Sequence, residues 1–228
     1  MENVRVQLSP YDIFSSTVGG LPLPAAILVL AEPTGTPREV TDMFIRDASI
    51  ATLLLVLAAS YVAGNVASVF SWPMFLRAAA LLHYDYRYVR DENLQDSGTG
   101  PEADHLTDAI IPAVRETFGY TATPSRLDSR IIAYLATRDR HETLRIADNF
   151  QVMHIMARSL FFGMIVLAGT ILVRLLWTGF GVDSLLAAGV CCASAYGLLI
   201  RSVHFKIWHS RSLALGFYFY ASRAHDGR

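Results

Sequence analysis

Lysine is nearly missing from this 228-residue chain: of 19 cationic residues, only Lys206 is a lysine. Arginine grips phosphates bidentately and tolerates interfaces better than lysine does. A GC-rich genome produces the same bias, so the scarcity alone selects neither origin. Charge as a whole is low, at 17% against ~25% in an average soluble domain, while 53% of residues are hydrophobic. A formal net charge of −1 excludes a bulk electrostatic footprint for nucleic acid. Cysteine is limited to the adjacent pair Cys191 and Cys192 in an apolar run. That excludes a disulfide framework or a metal signature and leaves both as small packing residues. The N-terminus has no basic n-region and no small-residue cleavage site, so no removable signal peptide is expected. No Walker-type glycine loop, paired metal-ligand spacing or nucleophile elbow occurs. The 7 histidines are scattered, and His204 and His209 do not share a helical face. The expectation is therefore a non-enzyme with no catalytic residue, metal or cofactor.

What is present is a set of long uncharged runs. Residues 48–76 lie between Asp47 and Arg77 and carry no charge. As a helix this run is about 43 Å long at ~1.5 Å per residue, more than the ~20 residues a bilayer core requires. Residues 13–31 form an earlier run, broken by Gly19, Gly20, Pro22 and Pro24. It reads as a first span kinked near residues 20–24, or as a re-entrant segment. Residues 159–177 and 184–200 supply a third and a fourth span. Arg174 is placed to snorkel toward the interface, and Pro73 is expected to kink or end the second helix.

These runs predict an all-α membrane protein with four transmembrane helices. Its expected divisions are an N-terminal hairpin (1–76), a helical cytoplasmic region (77–158), a C-terminal hairpin (159–200) and a basic aromatic tail (201–228). In the second of these, Leu106, Ile110, Val114 and Phe118 recur every four residues ahead of Gly119, which predicts a helix over 102–118 despite Pro112. Ser125 is a candidate N-cap for a long helix running toward the third span. Arginine is abundant in 77–158 and in the tail but sparse in 32–47 and 178–183. By the positive-inside rule both termini are cytoplasmic.

Two groups of residues carry the functional reading. In the second span Ser60, Gly64 and Ser68 follow i,i+4 spacing beside the ridge Ala59, Ala63, Ala67 and Ser71, and Asn65 is the most polar residue deep in a span. Gly189, Ala193 and Gly197 repeat the device in the fourth span. Such faces are expected to pack helix on helix, within one chain or between copies. Asn65 either bonds a neighbouring helix or lines a wet path. No Asp, Glu or Lys sits mid-membrane and no internal repeat is evident, which weighs against an ion-coupled transporter.

The second group is an arginine face. On a continuous helix Arg126, Arg130, Tyr134, Arg138, His141 and Arg145 share roughly a 120° arc at 100° per residue. Such a stripe with a tyrosine neutralises phosphates while the ring stacks on a base. A solvated face, or one resting on anionic headgroups, has the same pattern.

Three short stretches resemble a widespread group of small bacterial four-span membrane proteins. They are Tyr11-Asp12-Ile13-Phe14, the Tyr61, Gly64, Asn65 and Ser68 pattern, and Arg158-Ser159-Leu160, which lacks the family's Asn. Some similar proteins accompany nucleotidyltransferases in anti-phage islands, including the Hailong-type channel effector. The resemblance implies an oligomeric channel in the bacterial inner membrane; four short spans cannot easily enclose an aqueous path alone, so a closed ring of copies, a tetramer, is expected. The resemblance also implies a cyclic nucleotide or oligonucleotide ligand made by a partner nucleotidyltransferase. The alternatives are a non-conducting membrane sensor or scaffold and, last, a lipid-modifying membrane enzyme.

Overall fold

A computed structural model describes residues 10–31, 49–84, 105–118, 127–137, 141–178 and 181–226. Among them every regular element is helical, and four helical stretches are long and apolar enough to cross a membrane: Tyr11–Ala31, Ile50–Leu81, Glu142–Trp177 and Val182–Ala221. The chain is an all-α membrane protein. Its elements are α1 (Pro10–Gly20), α2 (Pro22–Ala31), α3 (Ile50–Leu81), α4 (His105–Phe118), α5 (Leu127–Thr137), α6 (His141–Thr178) and α7 (Val182–Asp226). They form two compact units, Met1–Tyr84 with Val152–Val203, and Asp85–Gln151 with His204–Arg228. Helices α6 and α7 contribute residues to both.

In the first unit, the first span is broken where the sequence predicts. α1 ends at Gly20, Leu21 turns, and α2 restarts at Pro22. A proline at a first helical position forfeits an N–H that had no partner anyway. Ser49 caps α3 from an extended backbone, its hydroxyl accepting from the Thr52 amide at 3.1 Å. Pro73 does not stop α3, which continues to Leu81. The far end closes in a Schellman arrangement: the Tyr84 amide donates to the Ala79 carbonyl at 2.9 Å and the His83 amide to Ala80 at 3.2 Å. His83 holds the left-handed position, with φ of 54°.

Small residues set the packing of this unit. A Cβ on Gly64 would strike the Ser16 carbonyl oxygen, and one on Gly20 would strike the Ser60 carbonyl and the Gly64 backbone. The backbones of α1 and α3 are therefore in direct contact, and dispersion between them replaces the hydrophobic drive that lipid does not supply. Gly19, one residue and 100° from Gly20, instead faces Ser159 of α6, and Gly163 of α6 rests on the Pro22 ring. Further along, Val29, Ala168, Ile171, Ala188 and Cys191 close an apolar cluster.

The second unit has its own core. Ile110 and Val114 from α4, Leu127, Ile131 and Leu135 from α5, Ala147 from α6, and Leu213, Ala214, Phe217 and Ala221 from α7 are all buried together. Residues 201–226, expected to be a tail, are thus helix, and their apolar stripe is core. Phe118 stacks on Phe217 at 5.3 Å, and Tyr134 meets the same ring edge-on at 5.2 Å. The only lysine of the chain joins α7 to α5: Lys206 Nζ lies 3.1 Å from Asp128 Oδ2, and Ser210 Oγ donates to that oxygen at 2.9 Å. His209 Nδ1 donates to the Ala147 carbonyl at 2.9 Å, joining α7 to α6.

Candidate functional sites in the two units

On α3, the residues singled out from sequence divide into two sets. Ser60 and Gly64 are buried, and with Ala67, Ser71, Phe75 and Ala79 they make the packed stripe of the helix. They are interface residues against α1. Ser68 is half-buried, its hydroxyl donating to the Asn65 carbonyl at 2.7 Å. Asn65 points outward. Its Nδ2 donates to the Tyr61 carbonyl of its own helix at 2.8 Å, and among the described residues no neighbouring helix bonds it. The expected bond to another helix is thus not made among them. Around it Val62, Val66 and Val69 are 62%, 50% and 69% exposed. α3 as a whole is the least covered candidate span. The small-residue face of α7 is likewise uncovered: a Cβ on Gly189 or Gly197 would meet nothing within 4 Å. Among the described residues that face meets no other helix, which leaves contact between copies as the open branch of the expectation.

Of the arginine face, Arg130 and Tyr134 lie on α5 and Arg145 on α6. Arg126 and Arg138, with the candidate cap Ser125, lie outside the described residues. Arg130 is half-buried and Arg145 exposed, and neither forms an ion pair among the described residues. Tyr134 is not a free stacking platform. Its ring is committed to Phe118 at 6.1 Å and to Phe217, because the i,i+4 stripe of α5 turns it toward the core. What remains open is a groove of about 380 Å³ lined by Phe118, Arg130, Ala133, Tyr134 and Thr137. It presents one guanidinium at the rim of an aromatic wall.

A third constellation lies in the first unit, and sequence reasoning did not find it. Arg158 of α6 is 9% exposed. Its Nε donates to Ser71 Oγ at 3.0 Å, its Nη2 donates to the Ser68 carbonyl at 3.1 Å, and its Cζ lies 4.9 Å from the Trp72 ring centroid. One turn back, His154 is fully buried. Its Nδ1 donates to the Ser202 carbonyl at 2.9 Å and lies 2.9 Å from the Ser202 hydroxyl. The carbonyl can only accept, so Nδ1 carries a proton. The His154 ring stands edge-on to Phe75 at 5.2 Å and to Trp72 at 6.1 Å. The sequence marks Arg158 within Arg158-Ser159-Leu160; its i,i+4 spacing from His154 just before an uncharged run is a further signal.

Two smaller points follow from the same unit. Arg174 is only 8% exposed, so it is packed inside and does not snorkel as expected. The Tyr84 hydroxyl shares a 2.9 Å hydrogen bond with Tyr196, and that bond is the main cause holding the Tyr84 phenol above its ordinary pKa.

No protein-family model, curated protein or solved structure matches this chain.

Proposed function

We propose that this chain is the membrane subunit of an oligomeric ion channel, an effector gated by an anionic nucleotide or oligonucleotide ligand. The observation that carries this reading is Asn65, an amide midway along a bilayer-long helix that faces out of the single chain. Its amide has hydrogen-bonding capacity beyond the one bond to Tyr61, and hydrocarbon offers nothing to take it up. Copies arranged about an axis, with α3 facing that axis, give Asn65 either a partner amide or water. A closed ring is the ordinary way such an arrangement terminates, and a tetramer is the size we favour.

The Arg130 groove supplies the ligand side. One guanidinium over an aromatic wall suits a phosphate joined to a planar base. Helices α6 and α7 each run through both units, so ligand-dependent rearrangement in one has a covalent route to the other. The arginine asymmetry of the connections supports a cytoplasmic side for that unit and for both termini, in a bacterial inner membrane. The resemblance to anti-phage channel effectors supports the same reading and assigns the ligand to a partner nucleotidyltransferase.

The test is potassium efflux from liposomes holding the purified protein. Efflux that Asn65→Leu abolishes, with insertion and oligomer size unchanged, supports the pore. No efflux from wild type, with cyclic dinucleotide either present or absent, overturns the channel and leaves a non-conducting sensor or scaffold.

A further inference from the structure

Arg158 is a buried cation whose contacts among the described residues carry no countercharge. It makes no ion pair among the described residues, and its hydrogen bonds go to a hydroxyl and a carbonyl, both neutral. Neutral acceptors and an indole face do not discharge a guanidinium held away from water. Nor is an acid available nearby in sequence. No Asp or Glu occurs from Ser49 to Tyr84, from Asn149 to Val182 or from Ser184 to His225, and Asp12 of the adjoining α1 forms no ion pair with Arg158. Nη1 is the nitrogen left over: among the described residues it makes no hydrogen bond, and it is not among the enclosed polar atoms. Arg158 also stands where the polar part of α6 gives way to the apolar run after it, the depth at which headgroups meet acyl chains. A second cation, Arg201, is exposed beside Ser202, which is bonded to His154 one turn from Arg158.

From this we infer that Arg158 holds the phosphodiester of an anionic phospholipid headgroup, seated against Trp72 between α3 and α6. Nε and Nη2 are fixed by Ser71 and Ser68, which aims the remaining edge of the planar fork at an incoming phosphate oxygen. Trp72, stacked on Phe75 and covered by Arg158, is still 37% exposed, and that exposed part of the indole suits the glycerol and upper acyl region, where indoles settle in bilayers. Arg201 adds net charge complementarity, so a lipid with net negative charge binds ahead of a zwitterionic one. The inference stands whether or not the protein conducts ions.

The experiment is native mass spectrometry of the full-length protein in mild detergent, titrated with phosphatidylglycerol or phosphatidylcholine. Wild type is expected to retain phosphatidylglycerol at concentrations where phosphatidylcholine is lost. Arg158→Gln is expected to weaken that retention about tenfold, the value of one charge-assisted contact, while Arg174→Gln leaves it unchanged. Equal retention by Arg158→Gln and wild type overturns the site. An equal loss in both variants overturns it too, as nonspecific charge. Displacement of the lipid by millimolar inorganic phosphate overturns the lipid as the source of the phosphate. Should Arg158→Gln fail to insert, a photoreactive phosphatidylglycerol on wild type decides the matter. Crosslinks within residues 68–72 and 154–158 support the site, and crosslinks confined elsewhere overturn it.

Discussion

Arg158 of α6 and Ser71 of α3 are joined by a 3.0 Å hydrogen bond between residues 87 positions apart in the chain. The same guanidinium reaches the Ser68 carbonyl, and the Ser68 hydroxyl in turn bonds the Asn65 carbonyl. A run of hydrogen bonds thus connects α6 to Asn65, the exposed amide midway along α3. It acts on that helix just ahead of Pro73, whose missing N–H already leaves one carbonyl without its helical donor.

Ser71→Ala removes the acceptor of Nε in a buried site and leaves the cation in place. The cost is expected to be about 1–2 kcal/mol, since interhelical hydrogen bonds in membranes fall at or below that range. Unfolding of the purified protein in mixed micelles of increasing SDS measures it. A loss below about 0.3 kcal/mol would show that water or another group replaces the hydroxyl without penalty.

Gly64→Val places a branched side chain where the Ser16 carbonyl and the Gly20 amide lie. No rotamer avoids a backbone atom, so α1 must leave α3 or tilt away from it. The expected result is loss of the contact between α1 and α3, read as a cysteine crosslink between positions 16 and 64±4 that forms in wild type only. Gly197→Val is the matched control, because nothing lies within 4 Å of that position in the chain. If it also disrupts assembly, copies contact one another along that face of α7.

His83→Gly acts on the end of α3. His83 has a φ of 54°, in the region where L-residues are strained by roughly 1–2 kcal/mol. Glycine relieves the strain and loses part of the gain to the entropy of the unfolded chain. A net stabilisation of about 0.5–1 kcal/mol is expected, seen as a higher midpoint in the same SDS titration. A lower midpoint would mean that the imidazole contributes contacts outweighing the strain.

Phe217→Ala and Arg130→Gln separate core from site in the second unit. Phe217 is fully buried between Phe118 and Tyr134, so its truncation is expected to cost about 3–5 kcal/mol and to expose that unit to protease. Arg130 is half-buried and carries no ion pair among the described residues, so Arg130→Gln is expected to leave protease resistance unchanged. Proteolysis of Arg130→Gln at the Phe217→Ala rate would make the arginine a structural residue and withdraw it from any ligand site.

The sequence by itself determined the membrane class, the run that became α3, the break between α1 and α2, and the α4 stripe of Ile110 and Val114. Each of these is local: an uncharged stretch, a Gly-Leu-Pro step or a repeat of four is legible because neighbours in the chain decide it. It also marked Gly64 and Ser60 as contact residues, since small side chains in a bilayer-long helix have few other uses. Only tertiary structure decided the rest. Asn65 stands about 100° from Gly64 on α3, and which of these faces is covered depends on where α1 docks. Tyr134 reads as part of an arginine face until Phe217, 83 positions later in the numbering, occupies its ring. The C-terminal stretch looks like a basic tail until Leu213 and Phe217 find partners on α4 and α5. Arg158 and Ser71 meet for the same reason. Burial and pairing are made across the chain, and periodicity along one helix gives its faces but not what each face meets.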